Sequence, residues 1–226
     1  MLTSWAPTPT THAIRLERPH GFRFKAGQHV MLQLATRDGE DDRFLSIASS
    51  PTRDDLVLAV RRSDSPFKQA FAALAPGDQV TLVGPSGKFL LEPAAPAVFV
   101  SGGIGITPIK SMVEQATDEG LSVPVVLVYG NRSPREIVFR DELDDLVRTN
   151  PHLRIAYTVD ATSGEEPWNG RTGHVDAAMI QEEAAGLEGA HYYTCGPPGM
   201  VAAIAGLLET AGVGKDRLHT ENFTGY

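Results

Sequence analysis

The sequence predicts two joined units: an antiparallel β-barrel or sandwich of short strands followed by a doubly wound α/β unit built on a parallel sheet. Three observations predict it. Before about residue 96 the chain is a series of short β-rich runs punctuated by Gly and Pro. After it, apolar runs alternate with segments of helical period, the pattern of a sheet covered on both faces. Charge divides at the same place: residues 1–96 carry 11 Lys+Arg and 10 Asp+Glu, net +1, while residues 97–226 carry 9 and 18, net −9. A chain of 226 residues is long enough for one large or two small domains at ~150 residues each. The proline-containing joint Pro93–Pro96 sets the expected division at 1–95 and 96–226.

In the first unit the expected strands are Thr11–Leu16, His29–Leu34, Phe44–Ser49, Leu56–Arg61 and Val80–Val83. One helix-like insertion, Pro66–Leu74, places Phe67, Ala70, Phe71 and Leu74 on one face. In the second unit Ala97–Val100, Val125–Tyr129, Leu153–Thr158 and Tyr192–Thr194 are expected strands. Helices are expected after Thr107, near Phe139–Arg148, over Asp176–Ala184 and over Pro198–Ala211, the last with Met200, Val201, Ile204, Leu207, Leu208 and Ala211 at 3.6-residue spacing.

Composition narrows the function. Hydrophobic residues make up 42% and charged residues 21%, as in ordinary globular proteins. A net charge of −8 disfavours a general nucleic-acid binder, which relies on a positive surface. No apolar run approaches the ~20 residues of a membrane span. Met1–Thr10 lacks the basic start and apolar stretch of a signal peptide, so a cytoplasmic location is expected. A single cysteine, Cys195, excludes an internal disulfide and a Cys-ligated cluster. The seven histidines show no zinc-like spacing, and no metal site is expected.

Two glycine-rich turns carry the strongest local chemistry. Ser101-Gly102-Gly103-Ile104-Gly105-Ile106-Thr107-Pro108 follows a strand and opens a helix, with Thr107 expected as N-cap and Pro108 as first helical residue. Such a turn offers backbone N–H groups and the positive end of a helix to a pyrophosphate. Thr194-Cys195-Gly196-Pro197-Pro198-Gly199 repeats the strand-to-helix arrangement, at the sheet edge where open α/β folds bind ligands. In the first unit Arg43-Phe44-Leu45-Ser46 sets a guanidinium beside a short hydroxyl, a pair suited to a phosphate and a hydrogen bond.

The order of these motifs is more specific than any one of them. Phe24-Lys25-Ala26-Gly27-Gln28, Arg-x-x-Ser, Gly84-Pro85-Ser86-Gly87-Lys88-Phe89, Gly-Gly-x-Gly-x-Thr-Pro, Cys-Gly-Pro-Pro and Glu221-Asn222-Phe223 occur in sequence from about residue 13 to the end. In this the chain closely resembles the ferredoxin–NADP⁺ reductase family of flavoproteins. The resemblance implies an antiparallel flavin-binding β-barrel followed by a doubly wound parallel-sheet domain that binds a nicotinamide nucleotide.

Carried over by position, the resemblance places Arg43 on the flavin phosphates, Ser46 near flavin N5, and Phe44, Leu45, Val60 and Arg61 along the flavin. Leu45 stands where the family usually has an aromatic. Ser65-Pro66-Phe67-Lys68 replaces the family's usual Gly and Ser/Thr, with Ser65 and Lys68 in the phosphate-binding positions. Gly103, Gly105 and Thr107 are expected against the nicotinamide nucleotide, together with Cys195, Gly196 and Pro197. Ser46, Cys195, Glu221 and Phe223 are the expected catalytic set, with Phe223 covering the flavin and Tyr226 packing on it from the three-residue extension. After Tyr129, the run Gly130-Asn131-Arg132-Ser133-Pro134-Arg135 carries no acid for a ribose 2′-hydroxyl, and Arg132 or Arg135 suits a 2′-phosphate.

The expected cofactors are therefore FAD in preference to FMN, with NADPH or NADH as donor and a slight lean to NADPH. The expected activity is hydride transfer from NAD(P)H to flavin, with electrons passed to a ferredoxin or other small redox protein. An acidic partner would dock on the first unit, steered by Arg61, Arg62 and Lys68. The alternatives are an NAD(P)H:flavin reductase or diaphorase acting on small acceptors, and a nucleotide-binding subunit of a larger redox complex. Nothing in the sequence fixes the oligomeric state.

Overall fold

The computed structural model describes residues 1–160 and 167–223. Six strands and one helix form the first region: β1 (Thr3–Thr8), β2 (Thr11–Glu17), β3 (His29–Thr36), β4 (Gly39–Ser46), β5 (Asp55–Arg61), α1 (Pro66–Ala73) and β6 (Thr81–Ser86). They make two three-stranded antiparallel sheets, ordered β1-β2-β5 and β4-β3-β6. Strict alternation drives this arrangement: β3 buries Val30, Leu32 and Leu34 and turns Gln33 and Ala35 to solvent. Ile14, Val30, Leu32, Leu58, Phe67 and Phe71 share one core, so α1 is pinned by its two phenylalanines. Ser65 caps α1, its Oγ accepting from the Lys68 N–H at 3.3 Å, and Pro66 occupies the first turn.

The second region comprises β7 (Ala97–Gly102), α2 (Ile106–Asp118), β8 (Val125–Asn131), α3 (Arg140–Thr149), β9 (Leu153–Val159), β10 (Arg171–Thr172), α4 (Ala177–Glu183), β11 (His191–Gly196), α5 (Pro198–Thr210) and β12 (Leu218–Asn222). Its sheet is parallel throughout, ordered β10-β9-β8-β7-β11-β12. Phe99, Leu127 and Tyr129 pack in one core with residues of α2 and α3, whereas Val98, Val100, Val126 and Val128 pack with residues of α4 and α5. Burial on both faces explains the unbroken apolar runs. The strand order reverses between β7 and β11, which places the two glycine-rich turns side by side at the ligand-binding edge.

The two regions share a core. Ala48, Val57, Ala59 and Phe89 from the first pack with Ile109 and Met112 of α2. Beside this apolar contact lies a buried polar network. Glu114 accepts from the Ser50 N–H at 3.0 Å and from Arg53 Nε at 2.8 Å, and Lys110 Nζ lies 3.3 Å from Glu114 and 2.8 Å from Glu142. Ser111 Oγ donates to the Ser49 carbonyl at 2.6 Å. Burial alone would raise the Glu114 pKa, but Lys110, the Ser50 N–H and Arg53 together hold it below the ordinary value.

Several elements differ from the sequence expectation. The strand expected at Phe44–Ser49 runs instead over Gly39–Ser46, because register with β3 extends pairing through the acidic residues Glu40, Asp41 and Asp42. Strands β1, β10 and β12 were not expected. Thr107 does not cap α2. A single 3₁₀ turn, Gly103–Gly105, precedes the helix, Gly105 takes the cap position, and Thr107 Oγ1 donates back to the Ile104 carbonyl at 3.2 Å.

Candidate active site

Two clefts meet where the regions join. The first, of about 390 Å³, is lined from the β-sheet region by His29, Arg43, Phe44, Leu45, Ser46, Val60, Arg61 and Lys68. The second region contributes Ile104, Thr107, Glu221 and Phe223 to it. Three cations from three elements converge here: Arg43 from β4, Arg61 at the end of β5 and Lys68 from the first turns of α1. Burial and the nearby charges of Arg43 and Arg61 lower the Lys68 pKa. Asp42 lines the same cleft, and a diphosphate has the charge and the oxygens to bridge the three cations. The Arg43 guanidinium also lies 5.4 Å from the Phe67 ring and pairs with Asp41, which fixes its direction.

Opposite the cations, Ser46 and His29 are cross-strand partners in the β3–β4 ladder. His29 Nδ1 lies 3.5 Å from Glu221 Oε1, so a β3 side chain and a β12 side chain meet across the cleft. Glu221 is in turn the register partner of Cys195 on β11. Cys195 is fully buried, and burial first, then the Glu221 carboxylate, push its thiol pKa well up. A buried neutral thiol shapes the wall and is a poor nucleophile. The Phe223 N–H donates to the Gly196 carbonyl at 2.9 Å, which ties the end of β12 to the second glycine turn.

The second cleft, about 580 Å³, opens at the C-terminal edge of the parallel sheet. Gly102, Gly103, Gly130 and Pro197 form its floor with Arg132, Asp160, His174 and Met200 around it, and Arg61 and Ile104 line both clefts. Gly103 has φ +52°, a left-handed conformation that a side chain would strain. Gly105 is needed for close approach: a Cβ there would lie 2.2 Å from the Cys195 carbonyl oxygen. The two glycine turns are therefore packed backbone to backbone. Ser101 Oγ, on the wall of this cleft, is buried with no hydrogen bond among the described residues, a polar group that a nucleotide would satisfy.

The structure distributes the sequence-predicted residues unevenly between these clefts. Gly103, Arg132 and Pro197 line the nucleotide-sized cleft, but Thr107 opens into the cationic one, and Gly105 and Cys195 lie beneath the surface. Ser65 serves as the cap of α1 and Arg135 sits exposed on the 3₁₀ turn Pro134–Glu136, and neither lines a cleft. Tyr226 lies outside the described residues. Arg61 and Lys68, offered by the sequence as steering charges for a partner, face the clefts. Two residues were missed. His29 gave no signal beyond its place in a strand. Asp160 follows β9, one strand beyond the loop in which an acid was sought, and its Oδ1 lies 2.8 Å from His174 Nδ1.

Comparisons with known proteins agree with this fold. Residues 99–206 match the model of the oxidoreductase NAD-binding domain. Ferredoxin–NADP reductase B of Sorangium cellulosum (strain So ce56) is 34% identical over 229 residues, spanning 96% of this chain and 93% of that protein. The chain belongs to the ferredoxin–NADP⁺ reductase-like family of flavoproteins. It is thus an oxidoreductase of the type that pairs a flavin with NAD(P)H. The phenol hydroxylase P5 protein of Acinetobacter pittii (strain PHEA-2) is 32% identical across 96% of this chain, which spans only 62% of that relative's length. Among solved structures, the cytochrome P450 reductase GcoB of Amycolatopsis superposes with a TM-score of 0.86 at 26% identity, covering 99% of this chain and 68% of that one.

Proposed function

We propose that residues 1–95 hold FAD, that residues 96–226 present NADH to it, and that electrons leave singly to a separate redox protein. The observation that carries this reading is the junction of the two clefts at Arg61 and Ile104, which brings a cationic diphosphate cradle against a glycine-built nucleotide edge. When bound, the flavin supplies the hydride-accepting and one-electron chemistry.

The chain's own residues bind, orient and shield. Arg43, Arg61 and Lys68 hold the diphosphate, and three cations exceed what a single FMN phosphate requires, which favours FAD. Ser46 would offer a hydroxyl to a bound flavin, and Glu221, beside His29, would supply negative charge in the same cleft. Phe223, which lines the first cleft, would shield a bound flavin, and Pro197 lines the second cleft with buried Cys195 behind it. Nicotinamide and flavin must meet at near-contact distance, so this positioning is the protein's main contribution. Asp160 shifts the donor preference to NADH, because a carboxylate in the cleft accepts from ribose hydroxyls and repels a 2′-phosphate.

Reconstitution with FAD or FMN, followed by ferricyanide reduction with each nicotinamide, tests the reading. The expected result is FAD retained through gel filtration in preference to FMN, with kcat/KM about tenfold or more in favour of NADH. A preference for NADPH would transfer specificity from Asp160 to Arg132, which lines the same cleft.

A further inference from the structure

We propose that the groove between the loop after β2 and the loop before β5 docks an acidic one-electron carrier of the ferredoxin type. The proposal rests on the functional reading above and names where its electron acceptor sits.

The groove lies apart from both clefts. Its volume is about 910 Å³, and it shares no lining residue with either of them. Arg18 builds it by tying the two loops together. The Arg18 N–H donates to the Asp54 carbonyl at 3.2 Å, and its guanidinium donates to the Pro51 carbonyl at 2.7 Å and lies 3.6 Å from the Asp54 carboxylate. Phe22 and Phe24, with ring centroids 6.1 Å apart, give the groove an apolar wall. A turn closes its far end: the Lys25 N–H donates to Gln28 Oε1 at 2.9 Å, and the Gln28 N–H donates to the Lys25 carbonyl at 3.1 Å.

Charge is graded along this groove. At one end Glu17 and Asp54 offset Arg18, while at the other Arg23 and Lys25 are exposed. Gln28 Nε2 donates at 3.4 Å to the Gly87 carbonyl, which sets exposed Lys88 on the segment beside that cationic end. Outside the two clefts, the cations of residues 1–96 that make no ion pair among the described residues are Arg23, Lys25, Arg62 and Lys88. All but Arg62 stand on the groove or beside it. Exposed lysines and arginines keep any surface soluble, but solubility does not gather them along an aromatic wall. An apolar centre with a charged rim is the anatomy of a protein interface.

Position and charge select the occupant. Gln28 lines the groove and its neighbour His29 lines the flavin-sized cleft, so the two cavities share one stretch of backbone as a wall. The Ile47 N–H donates to the Gln28 carbonyl at 3.0 Å, which ties that wall to the residue after Ser46. A carrier seated in the groove lies behind the flavin cleft and leaves the nucleotide cleft open to NADH. Residues 1–96 carry net +1 and residues 97–226 net −9, so an acidic carrier is drawn to the cationic end and turned away from the second region. This keeps the acidic partner expected from the sequence and moves its contacts from Arg61 and Lys68, which face the clefts, to Arg23, Lys25 and Lys88. Two carriers, each taking one electron at the groove, remove the electron pair that one NADH supplies, and one proton passes to solvent.

The test uses the FAD-loaded protein with NADH, an acidic two-iron ferredoxin as probe, and menadione, a neutral quinone, as the small acceptor that needs no docking face. In Arg23→Glu and in Lys25→Glu, kcat/KM for the ferredoxin should fall about tenfold and its decline with ionic strength should flatten. Lys215→Glu, the same change of charge at an exposed position between α5 and β12, should leave both unchanged. NADH bleaching of the flavin and menadione reduction should stay unchanged in all three variants. Unaltered ferredoxin kinetics in both groove variants, or an equal loss in Lys215→Glu, would overturn the docking proposal alone. So would a parent protein that reduces menadione but not the ferredoxin, or that favours basic cytochrome c over it. A dimer of the parent that Lys25→Glu dissociates would give the groove to a second copy and overturn it too. A parent protein whose flavin is not bleached by NADH overturns the functional reading and the docking proposal together.

Discussion

On the proposed reading, the two clefts solve the same problem, holding a phosphate-bearing cofactor, by different means. On the β-sheet region the anion site is made of side chains: Arg43, Arg61 and Lys68 arrive from three elements, each on its own stem. On the α/β region it is made of backbone: two glycine turns at the reversal point of the sheet, packed so tightly that Gly105 touches the Cys195 carbonyl. Side-chain sites degrade in steps, because losing one cation leaves two. A backbone site has no such reserve, since one added methyl displaces a turn on which the other rests.

The largest expected effect follows from that difference. Gly105→Ala places a Cβ against backbone atoms that cannot swing away, at 2.2 Å and 2.8 Å from the Cys195 carbonyl oxygen and carbon. Overpacking of this kind costs ~1–3 kcal/mol, so nicotinamide affinity should fall by up to about a hundredfold while FAD stays bound. Titration of the oxidised flavin spectrum with NAD⁺ measures it, and a normal affinity would show that the turns are not mutually dependent.

Arg43→Ala should come next. A charge-assisted hydrogen bond contributes ~1.5–3 kcal/mol, which predicts a ten- to hundredfold weaker FAD complex with Arg61 and Lys68 still in place. Equal retention of FAD by variant and parent after dialysis would remove Arg43 from the cradle. Asp160→Ala should act only on the second cleft, lowering the NADH:NADPH ratio of kcat/KM about tenfold without changing FAD binding. An unchanged ratio would return donor choice to Arg132.

The smallest effect concerns the polar seam between the regions. Because the Glu114 pKa is depressed in the folded state, its stabilisation is present above the unfolded value of about 4.5 and is lost as pH falls through the folded value. Glu114→Gln should therefore lower the urea midpoint near neutral pH and flatten its decline below pH ~5. Parallel curves for parent and variant would mean that the network does not couple folding to protonation.

The contrast between side chains and backbone also governs how much the sequence discloses. Both glycine turns are written locally, as strand, glycines and helix start, and so are the strand at β3 and the helix at α1 with its phenylalanine face. What pairing decides was not legible. Strand β4 takes in Glu40, Asp41 and Asp42 because β3 lies beside it, although those residues disfavour a strand taken alone. Lys110 and Glu114 fall on a helix whose periodic signal is apolar, and only the packed seam shows why two charges are buried there. His29 and Asp160 reach their clefts from strands carrying no motif, and the first turn of α2 escaped because its cap is a glycine rather than the neighbouring threonine. Local chemistry was readable; juxtaposition needed the fold.

The account's central claim is that the two clefts are halves of one hydride-transfer site, and rapid mixing tests it most directly. FAD-loaded protein is mixed anaerobically with NADH and the flavin absorbance is followed through a single turnover. The account predicts full bleaching by one equivalent of NADH, slowed in Ser46→Ala and in Glu221→Gln while FAD remains bound. A flavin that stays oxidised in the parent protein, with NADH bound in the second cleft, would contradict it.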